Sequence, residues 1–313
     1  MKKLIIQLIC YNEEQPLPIA LAALPRKVDG FDKVEWLIVN DGSSDRTMAV
    51  ARAHGVDHIV DLGTHQGLAR GFVAGLEASL RAGADVIVNS DADNQYCADD
   101  IPKLLEPIMR GEAQIVIGAR PISATKHFSP LKKLLQRLGS RVVRMASRTN
   151  VADAPSGFRA MTREAALQLN VFSPFSYTLE TIIQAGQKNI PIISVPIRTN
   201  PDLRPSRLID STAAYLRRSL ITILRIFITY KPLRFFLCMG AIPFSFGFLL
   251  GVRWLILFSQ EPARSRAPSL ILAAILILIG VQMWSLGAVA DVIAVNRKLL
   301  EDIQQRLKKI EYR

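Results

Sequence analysis

Asp91 and Asp93 stand one residue apart in the run Ser90-Asp91-Ala92-Asp93-Asn94-Gln95, directly after a short β-branched stretch, Asp85–Asn89. Two carboxylates this close repel each other unless a cation joins them. Hard oxygen ligands of this kind suit Mg²⁺ or Mn²⁺ held together with substrate phosphates. Two more polar clusters follow apolar runs in the same way: Tyr11-Asn12-Glu13-Glu14 after Leu4–Cys10, and Asn40-Asp41-Gly42-Ser43-Ser44-Asp45 after Glu35–Asn40. Arg120 follows Gln114–Gly118. Asp and Asn are also ordinary turn and cap residues, and Asp45 reads equally well that way. There is no Gly-rich dinucleotide fingerprint and no phosphate-binding P-loop. Gly67, Gly71 and Gly75, four residues apart, read as close packing of a helix on a sheet. Three cysteines, odd in number and far apart, argue against a disulfide framework and a Cys-ligated zinc site.

Elements of a particular kind are needed to bring these clusters together. Strand-like runs at Leu4–Cys10, Glu35–Asn40, His58–Leu62, Asp85–Asn89 and Gln114–Gly118 alternate with helical stretches at Pro18–Leu24, Arg46–His54, Leu68–Ala82 and Asp99–Met109. That alternation predicts an α/β fold, Rossmann-like, with a mostly parallel sheet and helices on both faces. Such sheets bind ligands beyond the carboxyl ends of their strands, where the polar clusters fall.

The remaining third of the chain differs in character. Of the net charge of +12 over 313 residues, residues 1–210 carry +3 and residues 211–313 carry +9. The basic excess therefore accompanies the apolar part, which favours a membrane surface over nucleic acid as partner. Phe235–Val252 holds 18 residues without a charge and Ala267–Ala290 holds 24. At 1.5 Å rise per residue even the shorter covers about 27 Å, close to a hydrocarbon core of about 30 Å. The two spans are joined by the short connector Ser259–Arg266. Basic residues before the first and after the second predict a hairpin with both termini cytoplasmic in the cell membrane. The apolar run at the start, Leu4-Ile5-Ile6, is too short for a signal peptide. The expected organisation is a catalytic domain over 1–210, a juxtamembrane amphipathic helix over 211–232, spans over 233–258 and 267–290, and a cytoplasmic helical tail over 291–313. The tail repeats Leu299, Ile303, Leu307 and Ile310 at helical spacing, which suits packing on the catalytic domain or on a second subunit in a homo-oligomer.

The ordered set CYNEE, NDGSSD, SDADNQY, IGAR and SGFRAMTREA resembles the family 2 glycosyltransferases with a GT-A fold. The hairpin, with RTNPDLRPSRL before it, is similar to the polyprenyl-phosphate glycosyltransferases of the dolichol-phosphate mannose synthase type. The resemblance implies a nucleotide-sugar donor, UDP- or GDP-linked, and a polyprenyl phosphate acceptor. It implies donor contacts at Tyr11, Asn12, Glu13 and Asp41, and a Mg²⁺ or Mn²⁺ with the diphosphate at Asp91, Asp93 and Gln95. Arg120 matches an arginine near the acceptor phosphate, and Ser156, Gly157, Phe158 and Arg159 match the acceptor-side strand, with Asp153 nearby. A Gln-x-x-Arg-Trp motif and further spans, marks of polymerising relatives, are lacking in the expected place.

Chemistry narrows the choice of acceptor. A sugar hydroxyl must lose a proton and needs a general base. A lipid phosphate is already anionic, so it needs cations to hold it and a metal to stabilise the departing nucleoside diphosphate. Residues 113–152 contain eight Lys or Arg and no acid. Lys133, Arg137, Arg141, Arg144 and Arg148 recur there at helical spacing beside a leucine-rich stripe, the pattern of a basic helix at a membrane surface. Arg204 and Arg207 are further candidates for a phosphate. The alternatives are transfer to a lipid hydroxyl, with Glu180 or Asp153 as base, and a non-catalytic membrane scaffold.

Overall fold

The computed structural model describes residues 1–121, 144, 147, 149–171, 177–201, 221, 224–225, 228–260 and 267–312. The chain divides into two compact units, Met1–Ser219 with Gln304–Arg313, and Leu220–Ile303.

The first unit is built on a seven-stranded sheet: β1 Lys3–Cys10, β2 Lys33–Asn40, β3 His58–Asp61, β4 Val86–Asp91, β5 Ile115–Ala119, β6 Arg159–Thr162 and β7 Ile192–Pro196, in the order β3-β2-β1-β4-β6-β5-β7. β1 and β2 are almost wholly buried and read as near-continuous apolar runs, as parallel strands covered on both faces must. The helices are α1 Leu17–Ala23, α2 Thr47–Ala53, α3 Leu68–Arg81, α4 Ile101–Met109, α5 Arg163–Gln168 and α6 Tyr177–Gln187. The predicted strands and helices are present with ends shifted by one or two residues. The sequence pattern had not marked β7, and only the family resemblance, with its acceptor-side strand over residues 156–159, had pointed to β6. It runs antiparallel between β4 and β5 and interrupts an otherwise parallel sheet.

Register decides which clusters meet. Ile9 pairs with Asp91 and Cys10 with Asn40, so the chain leaves β1, β2 and β4 on adjacent rungs of one edge. β2 lies on one side of β1 and β4 on the other, so this edge is also where the strand order reverses, the place where open α/β sheets form a crevice.

Packing under the edge uses small residues. A Cβ on Gly71 would come within 2.7 Å of Ile9 Cγ2, and one on Gly75 within 2.6 Å of Gln7 Oε1. These two glycines let α3 lie directly on β1 and β2, as expected. Gly67 differs. It precedes α3 with φ +91°, a left-handed conformation that suits glycine.

The carboxyl end of the chain belongs to this unit. Lys308 Nζ donates to Leu169 O (3.2 Å) and to Asn170 Oδ1 (3.0 Å), Arg163 donates to Tyr312 O, and Arg81 pairs with Glu311 at 3.3 Å. The last turns thus meet elements of the chain's own sheet domain through polar contacts, while the stripe Leu299, Ile303, Leu307 and Ile310 stays exposed.

The second unit contains α7 Pro232–Gln260 and most of α8 Ala267–Glu311. Both are long and apolar enough to cross a membrane, and only 11% and 17% of their most apolar windows are buried. Soluble core helices would be buried. α8 is one unbroken helix across the residues expected as a second span and a separate tail. The helices pack antiparallel through glycines. A Cβ on Gly240 would lie 2.8 Å from Gly280 O, and one on Gly247 2.8 Å from Ala273 O. Trp284 Nε1 donates to Leu237 O at 3.1 Å. Close backbone approach through small residues is how apolar helices associate where no hydrophobic drive separates them from lipid. Most of the expected juxtamembrane helix over 211–232 and the connector residues 261–266 lie outside the described residues.

Candidate active site

Asp91 closes β4 and keeps a partly open edge, but protein atoms hem it in. A Cβ on Gly157 would sit 3.0 Å from both Asp91 Oδ1 and Tyr177 Oη. Burial raises the Asp91 carboxyl to about 7. The Asp93 charge adds to this, while Arg120, Arg159 and a hydrogen bond from Tyr96 act the other way. A carboxylate so disfavoured in its charged form is one that a cation would stabilise. Among the described residues no group of three or more His, Cys, Asp or Glu is arranged to hold a metal. The Asp91/Asp93 pair therefore fits a cation whose other ligands come from substrate oxygens and water, the usual arrangement for Mg²⁺.

A turn with Asn94 at φ +58° carries Asp93. Asp93 Oδ1 accepts the Gln95 N–H at 3.1 Å. Asn200, which sequence reading had not singled out, holds this turn from outside. Its N–H donates to Gln95 O (2.9 Å) and its amide to Asn94 O (3.0 Å) and Tyr96 O (3.3 Å). Beside it, Arg198 grips the buried Asp100 through Nε (3.0 Å) and Nη2 (2.8 Å). Burial works to raise Asp100, yet the Arg198 and Lys103 contacts outweigh it and hold the carboxyl at about 2.

The supports beneath are polar and buried. Asn89 donates to Gly157 O (2.8 Å) and Tyr177 Oη (3.0 Å), and accepts from Gln7 Nε2 at 2.9 Å. Tyr96 Oη accepts the Gly157 N–H at 3.0 Å. Burial raises both tyrosine hydroxyls well above their ordinary range, with Asp91 adding to the effect, so both are neutral donors near it.

The arginines are placed differently from one another. Arg120 is held by a two-pronged ion pair with Asp153, Nε–Oδ2 2.7 Å and Nη2–Oδ1 3.1 Å, with Asp153 only 1% exposed. Burial works against the guanidinium charge, but Asp153 overcomes it and raises Arg120 further. Asp153 is thereby occupied as an ion-pair partner and is poorly placed to act as a base. Arg159 corrects the expectation of an acceptor-phosphate contact. It is fully buried in β6, donating to Ser156 O, to Thr178 O at 3.3 Å and to Thr181 Oγ1 at 2.6 Å, with its guanidinium over the Tyr177 ring. A guanidinium enclosed in this way does not reach a surface phosphate; it ties β6 to α6. Ser156 is likewise fully buried. Lys133, Arg137, Arg204 and Arg207 lie outside the described residues.

Residues 6–169 match the family described as Glycosyl transferase family 2, more than half of the chain. The chain belongs to that family. It is 27% identical to an undecaprenyl-phosphate mannosyltransferase of Micrococcus luteus, over 60% of this chain and 79% of that one. It is 29% identical to a UDP-N-acetylglucosamine–dolichyl-phosphate N-acetylglucosaminyltransferase of Methanococcus voltae, over 63% and 86%. Among solved structures it resembles the glucosyl-3-phosphoglycerate synthase of Mycobacterium tuberculosis, determined with Mn²⁺, UDP and glucosyl-3-phosphoglycerate. The TM-score there is 0.56 at 19% identity, covering 73% of this chain and 80% of that one. That likeness places the sheet domain in the GT-A fold.

In this family 2 glycosyltransferase the β1 and β2 edges are knitted by side chains expected to touch the donor. Asn12, at φ +54°, receives the Ser44 N–H on its side-chain oxygen (2.8 Å) and donates its own N–H to Ser43 Oγ (3.0 Å). The buried Glu13 donates its N–H to Thr47 Oγ1 at 2.9 Å. Asp45 accepts from Thr47 N (2.9 Å) and Glu14 N (3.1 Å), which makes it a loop tie. Asp41, only 2% exposed, accepts the Gln66 N–H (2.7 Å) and the Gly67 N–H (3.0 Å) at the start of α3. Tyr11 stacks on His65, centroids 4.0 Å apart.

Proposed function

We propose that this enzyme moves a sugar from a nucleoside-diphosphate donor to a polyprenyl phosphate at the cytoplasmic face of the cell membrane, with inversion at the anomeric carbon. The observation that carries the reading is the Asp91/Asp93 edge with Arg120, paired to Asp153, close enough to act on the Asp91 charge, in a chain that also holds two exposed apolar helices. The names of the Micrococcus and Methanococcus relatives support the acceptor class.

In this reading Tyr11, Asn12, Glu13 and Asp41 hold the nucleoside, and Asp91 and Asp93, with Gln95 near, would hold a divalent cation with the donor diphosphate. The cation supplies charge stabilisation to the departing nucleoside diphosphate. Arg120, oriented by Asp153, draws the acceptor phosphate to the donor carbon, helped by the basic residues Lys133, Arg137, Arg204 and Arg207. A phosphate oxygen attacks the anomeric carbon, that carbon's bond to the diphosphate breaks, and the electron pair leaves with the nucleoside diphosphate. One displacement inverts the centre. The nucleophile arrives ionised, so no carboxylate is needed to deprotonate it.

The deciding assay offers purified protein polyprenyl phosphate and a panel of radiolabelled UDP- and GDP-sugars. A labelled lipid whose sugar is released by mild acid is expected, because a glycosyl phosphate is acid-labile and an ordinary glycoside is not. Glu180→Gln should keep measurable turnover. Loss of all turnover in Glu180→Gln, with an acid-stable product, would move the assignment to a lipid-hydroxyl acceptor.

Topology has its own test. A cysteine at Gln260, in a background without Cys10, Cys97 and Cys238, should react with an impermeant thiol reagent added outside intact cells. Labelling at a tail cysteine but not at position 260 would invert the orientation.

A further inference from the structure

The segment just after β7 touches both sides of the proposed reaction centre. The Ile197 N–H donates at 3.0 Å to Ala119 O, the residue before Arg120, so the pairing of β7 with β5 runs one residue past β7. A Cβ on Gly118 would fall 2.9 Å from Ile197 Cδ1, so the segment lies directly over the end of β5. From there the chain crosses to the turn after β4. The Arg198 N–H donates to Asp100 Oδ2 at 2.6 Å, and the Cys97 N–H donates to Arg198 O at 3.4 Å. Thr199 bridges antiparallel to Tyr96. Asn200 ends the crossing on the turn that carries Asp93. From Ile197 to Asn200 an extended chain covers about 10 Å. One short strap thus joins the strand end beside Arg120 to the turn of Asp93.

Asn200 is suited to the far end by its donors. Its backbone N–H takes Gln95 O at 2.9 Å. Its amide takes the carbonyls on either side, Asn94 O at 3.0 Å and Tyr96 O at 3.3 Å, with Asn94 Oδ1 at 3.4 Å. A primary amide has two N–H bonds, a hydroxyl has one and an ionised carboxylate has none. Pro196 and Pro201 bracket the strap. Each fixes its own φ and keeps the residue before it extended, which leaves Asn200 little freedom. These bonds hold the turn by its backbone, so they set where Asp93 stands without engaging its carboxylate.

A single displacement needs the attacking oxygen, the anomeric carbon and the leaving oxygen in line. A misplacement of about 1 Å can cost roughly a hundredfold in rate. We propose that the strap Ile197–Asn200 sets the separation between the Asp93 turn and Arg120, and that Asn200 is a positioning residue that aligns donor and acceptor without touching either. This inference rests on the reading of Asp91 and Asp93 as the leaving-group side and of Arg120 as the acceptor side, and adds what keeps the two sides in register.

The test uses the full-length protein in detergent, undecaprenyl phosphate and the radiolabelled donor that the panel of nucleotide sugars identifies. Asn200→Ala is expected to lower kcat about ten- to a hundredfold. KM for undecaprenyl phosphate, and the calorimetric Kd of UDP or GDP with Mn²⁺, should stay within about threefold of the parent, as they do when only transition-state alignment is lost. Asn200→Gln keeps both amide donors on a longer side chain and should regain part of kcat. Asn200→Asp keeps the shape without those donors and should not. Thermal melting of each variant, expected within a few degrees of the parent, reports the fold separately. Raising Mn²⁺ should not restore Asn200→Ala, because its metal site is occupied and only misaligned. Unchanged kcat in Asn200→Ala overturns the proposal. So does its recovery at high Mn²⁺, which would make Asn200 a support for metal affinity alone, and so does an Asn200→Gln enzyme no better than the alanine variant. Parent enzyme that keeps full transfer in excess chelator would remove the leaving-group reading itself, and this inference with it.

Discussion

Replacing Asp93 with Asn is expected to lower kcat/KM by about a hundredfold or more, the loss of about 3 kcal/mol of transition-state stabilisation. Asn keeps the shape and the oxygen that accepts the Gln95 N–H at 3.1 Å, so the turn should survive while one ligand charge is lost. A second readout separates metal binding from turnover. With two carboxylates at the site among the described residues, Mn²⁺ alone should bind weakly, and a nucleoside diphosphate should strengthen it by supplying further oxygens. Calorimetry should show this linkage in the parent and its loss in Asp93→Asn. Full transfer in excess chelator, or an undiminished Asp93→Asn enzyme, would remove the metal from the scheme.

Arg120→Met should be costly twice, and the two costs can be separated. The substitution strips Asp153, 1% exposed, of its guanidinium partner, and an unpaired buried carboxylate costs about 3–5 kcal/mol. The catalytic domain should therefore melt several degrees lower. Arg120→Met with Asp153→Leu removes both charges and should regain most of that stability. Activity should not return with it. A lost charge-assisted contact to phosphate is worth about 1.5–3 kcal/mol, roughly ten- to a hundredfold in acceptor use. If the double variant recovers transfer along with stability, Arg120 is a structural partner of Asp153 and has no part in holding the acceptor.

Much of this was legible in the chain because it depends on local pattern. Leu4–Cys10 and Val34–Asn40 are nearly unbroken apolar runs, and strands buried on both faces require that composition. A helix follows most of them, so the parallel sheet and the edge at Asp91, Asp41 and Tyr11 followed from order alone. The two apolar helices were visible for the same reason: length and hydropathy are local properties. Gly71 and Gly75 announced a helix lying close on the sheet through their spacing.

Tertiary structure decided what depends on partners distant in sequence. Whether Arg120 was free or paired turned on Asp153, thirty-three residues away. Whether Arg159 faced a phosphate or the interior turned on its strand, β6, which runs against its neighbours and points the guanidinium at α6. The fold also made Asp45 a loop tie, through the N–H groups of Glu14 and Thr47. No signal in the sequence marked Asn200 as the brace of the Asp93 turn or His65 as the ring on Tyr11, because each acts through a contact made only when separate loops converge. Residue type and periodicity set which groups reach the sheet edge. Which of them remain available for chemistry depends on ion pairs and hydrogen bonds that form only once the chain has folded.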